Sequence, residues 1–416
     1  MIKVNQRIMF SLSEIREEQA AFRSGSGGET EKKTIYFDSM QAMLKGAFHF
    51  VSLFSAWHNQ GLVYGSSDES RFYFDLATGD LHCNGEDLLV KEGDPVQAEG
   101  LSAHEFLAPE LVELFDRKEG ETGTGAHEES WTLETDWYFM AVYLFEYFYH
   151  TGSPFEGKEM VNHCFLSPIE EELHRAREGV FCMEPGDHGN EPVRGIQDRL
   201  IRYWDEYPDK LQKVFQRAFL SGGNLINLRP TELDWKQIIV EMMMDYKTCS
   251  CGFRGFSARL IGKENGILHC PGCGKVYYPL SDGLNRILLT EGGQLYECQT
   301  GLDPLDYETV TGQIVENRRK KGLFGIKNLS DGFWRGFYPD GSTREIHHGQ
   351  AIPIWEGMTL AFERGENWTL RVSGTGAEEG LIREMEAEDE AEVNPPLPVE
   401  SNMFDKKEDC IDDNAE

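Results

Sequence analysis

The stretch from Thr135 to His150 constrains what this chain can fold into more than any other part of the sequence. Eleven of its residues are aromatic or large and aliphatic, and on a helix they would cover nearly the whole circumference. A helix that is apolar on all sides has to be buried inside a domain, and this one is too short to cross a bilayer. The sequence therefore predicts a substantial helical core built around it.

Further helices are predicted on both sides of this central helix. Apolar residues recur at three- and four-residue spacing from about Asp38 onwards, which indicates a helix with one buried face. The pattern Ser167-Pro168-Ile169-Glu170 is typical of a helix N-terminus. Helices are also expected over about 209–220 and 232–246, so that residues 36–247 are predicted to form a mainly helical domain.

The charge of the chain narrows the range of partners. There are 72 Asp and Glu residues against 40 Lys and Arg, which gives a net charge of -32. Phosphate backbones and anionic lipid surfaces repel such a chain, so we expect neither nucleic acid nor a membrane as the primary partner. The sequence has no apolar run long enough for a membrane span, and its first residues lack the core and cleavage site of a signal peptide. A cytoplasmic location is therefore expected.

Four of the nine cysteines form two closely spaced pairs, Cys249 with Cys251 and Cys270 with Cys273, and a glycine follows each pair. Such pairs are typical of zinc knuckles, in which a tetrahedral zinc takes four thiolates and keeps no open position for catalysis. The first pair is C-x-C, which is one residue tighter than the usual C-x-x-C. We expect a structural zinc at these four cysteines, with free buried thiols as the alternative.

The C-terminal third of the sequence changes character. From about 283 to 374, short β-type segments alternate with turn signals, which predicts a β-sandwich. Residues 376–416 hold 15 acidic and three basic residues, a composition typical of disorder. The predicted fold class is multidomain α+β, in five segments: a flexible leader (1–35), a helical domain (36–247), a zinc ribbon (248–282), a β-sandwich (283–374) and a disordered acidic tail (375–416).

Motifs of one known family occur in order along residues 36–247. They are Ala108-Pro109-Glu110, Asp136 at the start of the central helix, Gly152-Ser153-Pro154-Phe155, Arg217-Ala218-Phe219, Leu228-Arg229-Pro230 and Trp235. The region resembles the C-terminal lobe of a eukaryotic-type protein kinase. It is most similar to bacterial kinase-like proteins that carry a zinc ribbon after the kinase fold. The resemblance implies that Glu110 and Arg229 form a buried ion pair, with Asp136 as a third structural residue of the lobe.

The same resemblance locates the catalytic positions of a kinase within residues 64–87. Phosphoryl transfer needs an Asp as base, an Asn and an Asp that hold Mg²⁺, and a lobe that holds the nucleotide. Aligned on the family, Ser66 replaces the catalytic Asp, Arg71 replaces the Asn, and Asn84 replaces the metal-binding Asp. We therefore expect a pseudokinase with no catalytic residues and no bound ATP.

Displaced carboxylates leave a route to activity open. Asp68 and Glu69 lie near the catalytic position and can be interpreted as a shifted base. Glu86 or Asp87 can be interpreted as a metal ligand. Surface carboxylates are the simpler interpretation, because a shift of two residues moves a base by several ångströms. A nucleotide-binding lobe is also not expected, since about 37 residues precede the first helix and Ser24–Gly28 lacks the spacing of a phosphate loop.

The predicted β-sandwich resembles a degenerate forkhead-associated domain, through Ile326–Ser330 and Gly357–Phe362. In that family an S-x-x-H element supports phosphothreonine recognition, and here Thr311 and Ile314 replace its Ser and His. Arg318–Lys321 form a basic cluster, which is either a solvated loop or a dock for a phosphate or an acidic partner. The remaining candidate ligands are predicted to face solvent: His188, His347 and His348.

Two functions follow from this reading. The first is a catalytically inactive kinase-like scaffold or regulator in bacterial phosphorylation-dependent stress signalling. The resemblance implies protein partners for it: an active kinase, a protein phosphatase or a von Willebrand A-domain protein. The alternative is an atypical serine/threonine kinase that takes its nucleotide-binding lobe from another chain or uses the displaced carboxylates. An adaptor that binds through the zinc ribbon alone is a third possibility.

Overall fold

In the computed structural model the chain forms two compact units. The first consists of Met1–Gly262, Leu268–Val276 and Asp303–Glu308, and the second of Lys263–Ile267, Tyr277–Leu302 and Thr309–Glu416. The four cysteines therefore belong to the same unit as the helices. The structure describes these residues: 2–4, 7–15, 35–96, 106–112, 130–165, 167–186, 189–262, 268–281, 286–317, 324–354, 357–363 and 367–370.

The first unit is mainly helical, as the apolar periodicity predicts. Capping side chains set where its helices begin: the Ser39 hydroxyl accepts a hydrogen bond from the amide of Ala42, and Thr132 and Thr231 each form a capping box. The helices are α1 (Met40–His58), α2 (Leu133–Tyr149), α3 (Lys158–Asn162), α4 (Pro168–Glu178), α5 (Asp198–Trp204), α6 (Asp209–Phe219) and α7 (Glu232–Asp245).

The core of this unit lies between α1 and α2, and most residues of α2 are buried. Phe50 of α1 stacks on Tyr143 of α2 with ring centroids 4.2 Å apart. The Tyr147 hydroxyl donates a hydrogen bond of 2.7 Å to the carbonyl of Met43. A Cβ atom at Gly46 would lie 2.4 Å from that hydroxyl, so glycine permits this close approach. The helix predicted from its apolar circumference is thus the centre of the core.

Short antiparallel strands accompany the helices. Phe72–Phe74 and Leu81–Cys83 form a hairpin, and its turn is held by the Asp75 carboxylate, which accepts hydrogen bonds from the amides of Ala77 and Thr78. The strands of the first unit are β1 (Ile2–Val4), β2 (Arg7–Ser11), β3 (Leu62–Tyr64), β4 (Phe72–Phe74), β5 (Leu81–Cys83), β6 (Leu89–Lys91), β7 (Lys247–Thr248), β8 (Arg254–Gly255), β9 (Ile261–Gly262) and β10 (Leu268–His269).

The amino-terminal residues differ from the flexible leader expected over 1–35. Strand β2 pairs with β4, with Phe10 opposite Phe74, in a four-stranded sheet of order β1-β2-β4-β5. Leu12 is fully buried and Ile15 nearly so, and both belong to the helical core. The sequence pattern missed this because a few apolar residues in a polar segment give no clear period. Residues 16–34, which include the Ser24–Gly28 stretch, lie outside the described residues.

The second unit consists mainly of two antiparallel sheets. In one, the order is β17-β16-β19-β20-β11-β12, and in the other it is β13-β14-β15-β18. The elements are β11 (Val276–Ser281), β12 (Arg286–Leu289), β13 (Gln294–Tyr296), the one-turn helix α8 (Glu297–Thr300), β14 (Val310–Glu316), β15 (Phe324–Asn328), β16 (Trp334–Phe337), β17 (Thr343–Ile346), β18 (Ala351–Pro353), β19 (Thr359–Ala361) and β20 (Asn367–Leu370).

These two sheets pack face to face through glycines. A Cβ atom at Gly312 in β14 would lie 2.7 Å from the Trp334 ring in β16, and one at Gly336 would lie 2.8 Å from the Ile352 side chain in β18. Trp334 is fully buried. The structure thus has antiparallel sheets where the turn spacing of the sequence predicted a β-sandwich over 283–374, and the first of their strands begins before residue 283.

Several predicted features cannot be placed in this fold. The acidic tail (375–416), the basic cluster Arg318–Lys321 and His188 lie outside the described residues. In the part of the chain that the structure describes, every helix is too short or too polar to traverse a lipid bilayer.

Candidate metal centre and candidate loop site

The four cysteines predicted as zinc ligands come together in the structure. Their sulfur atoms all lie within 4.8 Å of one another, with 3.5 Å between the sulfurs of Cys249 and Cys273 and 3.5 Å between those of Cys251 and Cys270. Four sulfurs on a tetrahedral zinc at about 2.3 Å lie about 3.8 Å apart. The donor set and its spacing thus fit zinc, although other thiophilic ions suit the same set.

Backbone geometry at the two glycines explains how the cysteine pairs turn. Gly252 has a φ of 95° and Gly274 a φ of 74°, which is the left-handed region that glycine adopts without strain. The Gly252 amide donates to the carbonyl of Cys249, and the Gly274 amide donates to that of Cys270. The C-x-C pair therefore closes its turn in the same manner as the C-x-x-C pair.

Electrostatics at the first turn favours a thiolate. The amide of Cys251 donates a hydrogen bond to the Cys249 sulfur and is the main reason that the pKa of Cys249 falls to about 6, whereas the pKa values of Cys251 and Cys273 are raised, because contacts with the neighbouring sulfurs outweigh backbone hydrogen bonds. A thiolate is the form that binds a metal ion. The sequence alone gave the four ligands but not this donor.

The cysteine region packs on the helices of the same unit through Phe256. This side chain is 3% exposed and lies against Tyr207, at 5.7 Å between ring centroids, and against Tyr246, at 5.2 Å. The amide of Ser257 donates to the carboxylate of Asp245 at the end of α7. The metal centre is therefore fixed to the last helix of the core.

The loop between β3 and β4 holds two of the predicted degenerate positions. Ser66 is 5% exposed, and its hydroxyl accepts a hydrogen bond of 3.1 Å from the amide of Asp68. The Asp68 carboxylate in turn accepts a hydrogen bond of 2.7 Å from Nε of Arg71. The third position, Asn84, is exposed, and its amide donates to the carbonyl of Arg71. The structure thus brings these positions into one connected segment.

The carboxylates considered as substitutes for the missing chemistry are poorly suited to it. Burial acts to raise the pKa of Asp68, but hydrogen bonds from Ser70 and Arg71 outweigh it, so the pKa lies below its ordinary value. A carboxylate with a lowered pKa is a weaker base. Glu86 and Asp87 are exposed on a short 3₁₀ turn. The nearby Asp87 carboxylate contributes to raising the pKa of Arg71, after the hydrogen bond that Arg71 donates to Asp68.

Asp136, at the start of α2, is a buried carboxylate with two hydrogen-bond partners. It is 1% exposed, and its Oδ2 accepts a hydrogen bond of 2.8 Å from the amide of Tyr64, at the beginning of the loop. The same oxygen lies 2.9 Å from Nε2 of His58, and Nδ1 of His58 contacts the carboxylate of Glu232. One imidazole between two carboxylates therefore joins the end of α1, the start of α2 and the start of α7.

The pKa values in this cluster show that it holds a proton. Burial acts to lower the pKa of His58, but hydrogen bonds to Asp136 and Glu232 outweigh it and raise the pKa to about 9. Burial raises the pKa of Asp136 to about 6, with the contact to His58 opposing the rise. At neutral pH the imidazole is thus a cation flanked by two acidic groups.

Arg229 and Glu110 form the ion pair that the family resemblance implies. The guanidinium donates to both oxygens of Glu110, at 2.8 and 2.7 Å, and its side chain is fully buried. Further hydrogen bonds go to the carbonyls of Gly223 and Glu134, and the ring of Tyr138 lies 5.2 Å away. All five donors of the guanidinium are used. The segment around Glu110 is thereby tied to α2 and to the loop before α7.

In the second unit, the two positions that correspond to the S-x-x-H element, Thr311 and Ile314, are buried and do not face a ligand. Thr311 is 2% exposed and shares a hydrogen bond of 2.6 Å with the hydroxyl of Thr300, and Ile314 is buried. His348 and His347 are exposed, as predicted. His348 contacts the carbonyl of Ser330 through Nδ1 at 2.9 Å.

Sequence reasoning missed two residues of the cluster around Asp136, namely His58 and Glu232. They are 174 positions apart, so no local pattern could pair them. The available signals were weak: a histidine in the last turn of a predicted helix and an acid in the first turn of another. The partnership of Asp68 with Arg71 was detectable, because the two lie three residues apart in one turn.

Comparisons with known proteins give little beyond a distant likeness. No protein-family model matches the chain, and no curated protein matches it. Among solved structures, the chain is similar to the PK-1 kinase of Cydia pomonella granulovirus, at 14% identity and a TM-score of 0.32. The match covers 50% of this chain and 61% of the viral kinase, so less than two thirds of that protein is represented. At this level of similarity the match supports no conclusion about activity.

Proposed function

We propose that this chain is a catalytically inactive kinase-like scaffold or regulator, with a zinc ribbon and a β-sandwich as further binding modules. The observation that carries the proposal is the hydrogen bond from Arg71 to Asp68. By the family resemblance, Arg71 takes the position of the Asn that holds Mg²⁺ in a kinase, and this hydrogen bond pairs its cation with the Asp68 carboxylate. Phosphoryl transfer depends on metal ions that offset the developing negative charge.

The contacts that hold the lobe together support the same proposal. Asp136 accepts hydrogen bonds through Oδ2 and the Arg229 guanidinium is paired with Glu110, whereas by the family resemblance the three catalytic positions hold Ser66, Arg71 and Asn84. A lobe that keeps its scaffold and loses its reacting groups is suited to binding rather than to chemistry. By the family resemblance, its partners are an active kinase, a protein phosphatase or a von Willebrand A-domain protein, in bacterial phosphorylation-dependent stress signalling.

Phosphate transfer from labelled Mg-ATP to the chain itself and to a generic acceptor protein tests the inactive lobe. We expect no transfer by the unmodified chain, and none by the triple variant S66D/R71N/N84D, because restoring three side chains does not supply a nucleotide-binding lobe. Transfer by the unmodified chain that disappears in Asp68→Asn would establish the atypical kinase instead. Glu92→Gln is the matched control, since it removes an exposed carboxylate outside this loop.

The scaffold itself is tested by direct binding to purified candidates of the three partner classes. We expect one of them to bind the full chain saturably, with or without nucleotide, and binding to be weakened in a variant that unfolds the lobe. If binding depended only on the cysteines and persisted without the lobe, the ribbon alone would be the adaptor and the scaffold proposal would fail.

A further inference from the structure

A second group of metal-binding side chains lies in the first unit, apart in sequence from the four cysteines. Glu159 is in α3, His163 follows the end of that helix, and His174 and Glu178 are in α4. The spacing is four residues from Glu159 to His163 and again four from His174 to Glu178. We propose that Glu159, His163 and His174 bind a divalent transition-metal ion.

His174 presents a ring nitrogen that lacks a hydrogen bond. Its Nε2 is buried and has no hydrogen-bond partner among the described residues. The nearest acidic oxygen, Oε1 of Glu159, lies 3.5 Å away, beyond the usual N–H···O range. Two ligand atoms bound at about 2.1 Å to one tetrahedral ion lie about 3.4 Å apart. The pair therefore has the spacing of two metal ligands rather than of a hydrogen bond.

Glu178 supports the tautomer that metal binding requires. Its Oε2 lies 3.7 Å from Nδ1 of His174, on the other side of the ring from Glu159. This distance is too long for a hydrogen bond but short enough for the charge of Glu178 to favour a proton on that nitrogen. Metal-bound histidines commonly direct their second nitrogen to a carboxylate, which keeps the proton there and leaves the first nitrogen free to coordinate. In this arrangement the proton belongs on Nδ1 and the lone pair on Nε2.

The ring of His163 supplies the third ligand. Its centroid lies 5.1 Å from that of His174. Two imidazoles on one tetrahedral ion have centroids about 5 Å apart, from a metal–nitrogen distance of about 2.1 Å and about 1.1 Å from nitrogen to centroid. In the described residues only the cysteine set already has three or more ligand atoms within 4.8 Å of one another, so the exposed His163 ring has to rotate to complete the site.

Phe165 gives the site an apolar side. Its ring packs on both histidines, at 4.3 Å from His163 and 5.4 Å from His174. Two imidazoles and a carboxylate suit Zn²⁺, Ni²⁺, Co²⁺ or Cu²⁺, whereas Mg²⁺ and Ca²⁺ prefer oxygen ligands alone. This set is harder than the four thiolates, so the two sites should differ in metal preference.

The test is the metal content of the full chain after equilibrium dialysis against Zn²⁺, with Co²⁺ absorption as a second probe. We expect about two zinc ions per chain, and one after His163→Gln with His174→Gln, because the cysteine site remains. The single variant Glu159→Gln should also lose the second ion, and it keeps both rings. Cobalt at this site should show weak d–d bands without the intense sulfur charge-transfer band that cobalt at thiolates gives.

The matched control replaces the exposed pair His347 and His348 by Gln and should keep both ions. The variant C270S/C273S should lose the charge-transfer band and keep the second ion, which separates failure of the cysteine site from failure of this one. The proposal would be overturned if the unmodified protein bound one ion per chain and cobalt at that single site gave the sulfur charge-transfer band. It would also be overturned by two ions retained after both histidines and Glu159 are replaced.

Discussion

Arg229 is a fully buried cation that has one carboxylate to balance it. Its other hydrogen bonds go to backbone carbonyls, which satisfy donors but carry no net charge. Removing one partner of a buried ion pair costs more than the pair contributes, because the remaining charge stays in a medium of low dielectric. The Glu110 side chain is 22% exposed, so some water reaches the pair and reduces that cost.

Replacing Glu110 by Gln should therefore lower the free energy of unfolding of the helical unit by about 3 kcal/mol. The measurement is urea unfolding followed by helical circular dichroism. Glu241→Gln is the matched control, since its pair with Lys210 is roughly half exposed on both sides, and it should cost under about 1 kcal/mol. Equal costs for the two variants would mean that the Glu110 pair is not a structural anchor.

His58 gives the helical unit a defined pH dependence. Its pKa in the folded chain is about 9, above the ordinary value of 6.5, so the folded state holds a proton that the unfolded state has lost between these values. The resulting stability is complete below pH 6.5 and is lost as the pH rises through 9. The raised pKa of Asp136, about 6, acts in the same direction at lower pH.

We predict that the unfolding free energy falls by about 2 kcal/mol from pH 6 to pH 8.5, and that His58→Gln removes most of this slope; above this range the buried Cys182 thiol, whose pKa burial raises, adds a slope of its own. The measurement is urea unfolding at a series of pH values. His347→Gln, which alters an exposed ring, should leave the slope unchanged. A slope that survives in His58→Gln would show that other groups set the pH dependence.

At the scale of elements, strand β2 is part of the folded unit although it precedes helix α1 by many residues. It pairs with β4, and Leu12, directly after it, is fully buried in the core. Without residues 7–15, the aromatic core would lose the Leu12 side chain that covers one of its faces. The amino-terminal residues thus complete the helical unit rather than lead into it.

Leu12→Ala should lower the unfolding free energy of the helical unit by about 3 kcal/mol, through lost transfer energy and the cavity that remains. Ile8→Ala in strand β2 is the control. This side chain is 54% exposed, and the change should cost under about 0.5 kcal/mol. Thermal or urea unfolding of the two variants measures the difference. Two equally small effects would place the segment outside the cooperative unit.

The contrast between α2 and β2 shows what the sequence could reveal about elements. Helix α2 was predictable because eleven large residues in one run leave no other stable arrangement. The cysteine pairs were predictable because zinc chemistry fixes both ligand type and spacing. Strand β2 and the His58–Glu232 contact were not, since each depends on a partner far along the chain. For the same reason, the family resemblance was needed to pair Glu110 with Arg229.

At the scale of the whole molecule, two well-packed units accompany a loop in which a cation and a carboxylate are paired. The helical unit keeps a continuous core and its buried ion pair, and the second unit is a two-sheet sandwich. In the loop at Ser66, the hydrogen bond from Arg71 places a cation beside the Asp68 carboxylate. A chain of this organisation is suited to present surfaces to protein partners, which is the central claim.

The most direct test of that claim is a calorimetric titration of the purified, zinc-loaded full chain with Mg-ATP. We predict no saturable heat at millimolar nucleotide, and the same baseline for Arg71→Asn, because neither form presents carboxylates that hold Mg²⁺ against the phosphates. Saturable, magnesium-dependent binding by the unmodified chain would contradict the claim. Its loss in Asp68→Asn or Asp87→Asn would then identify the carboxylate that holds the metal.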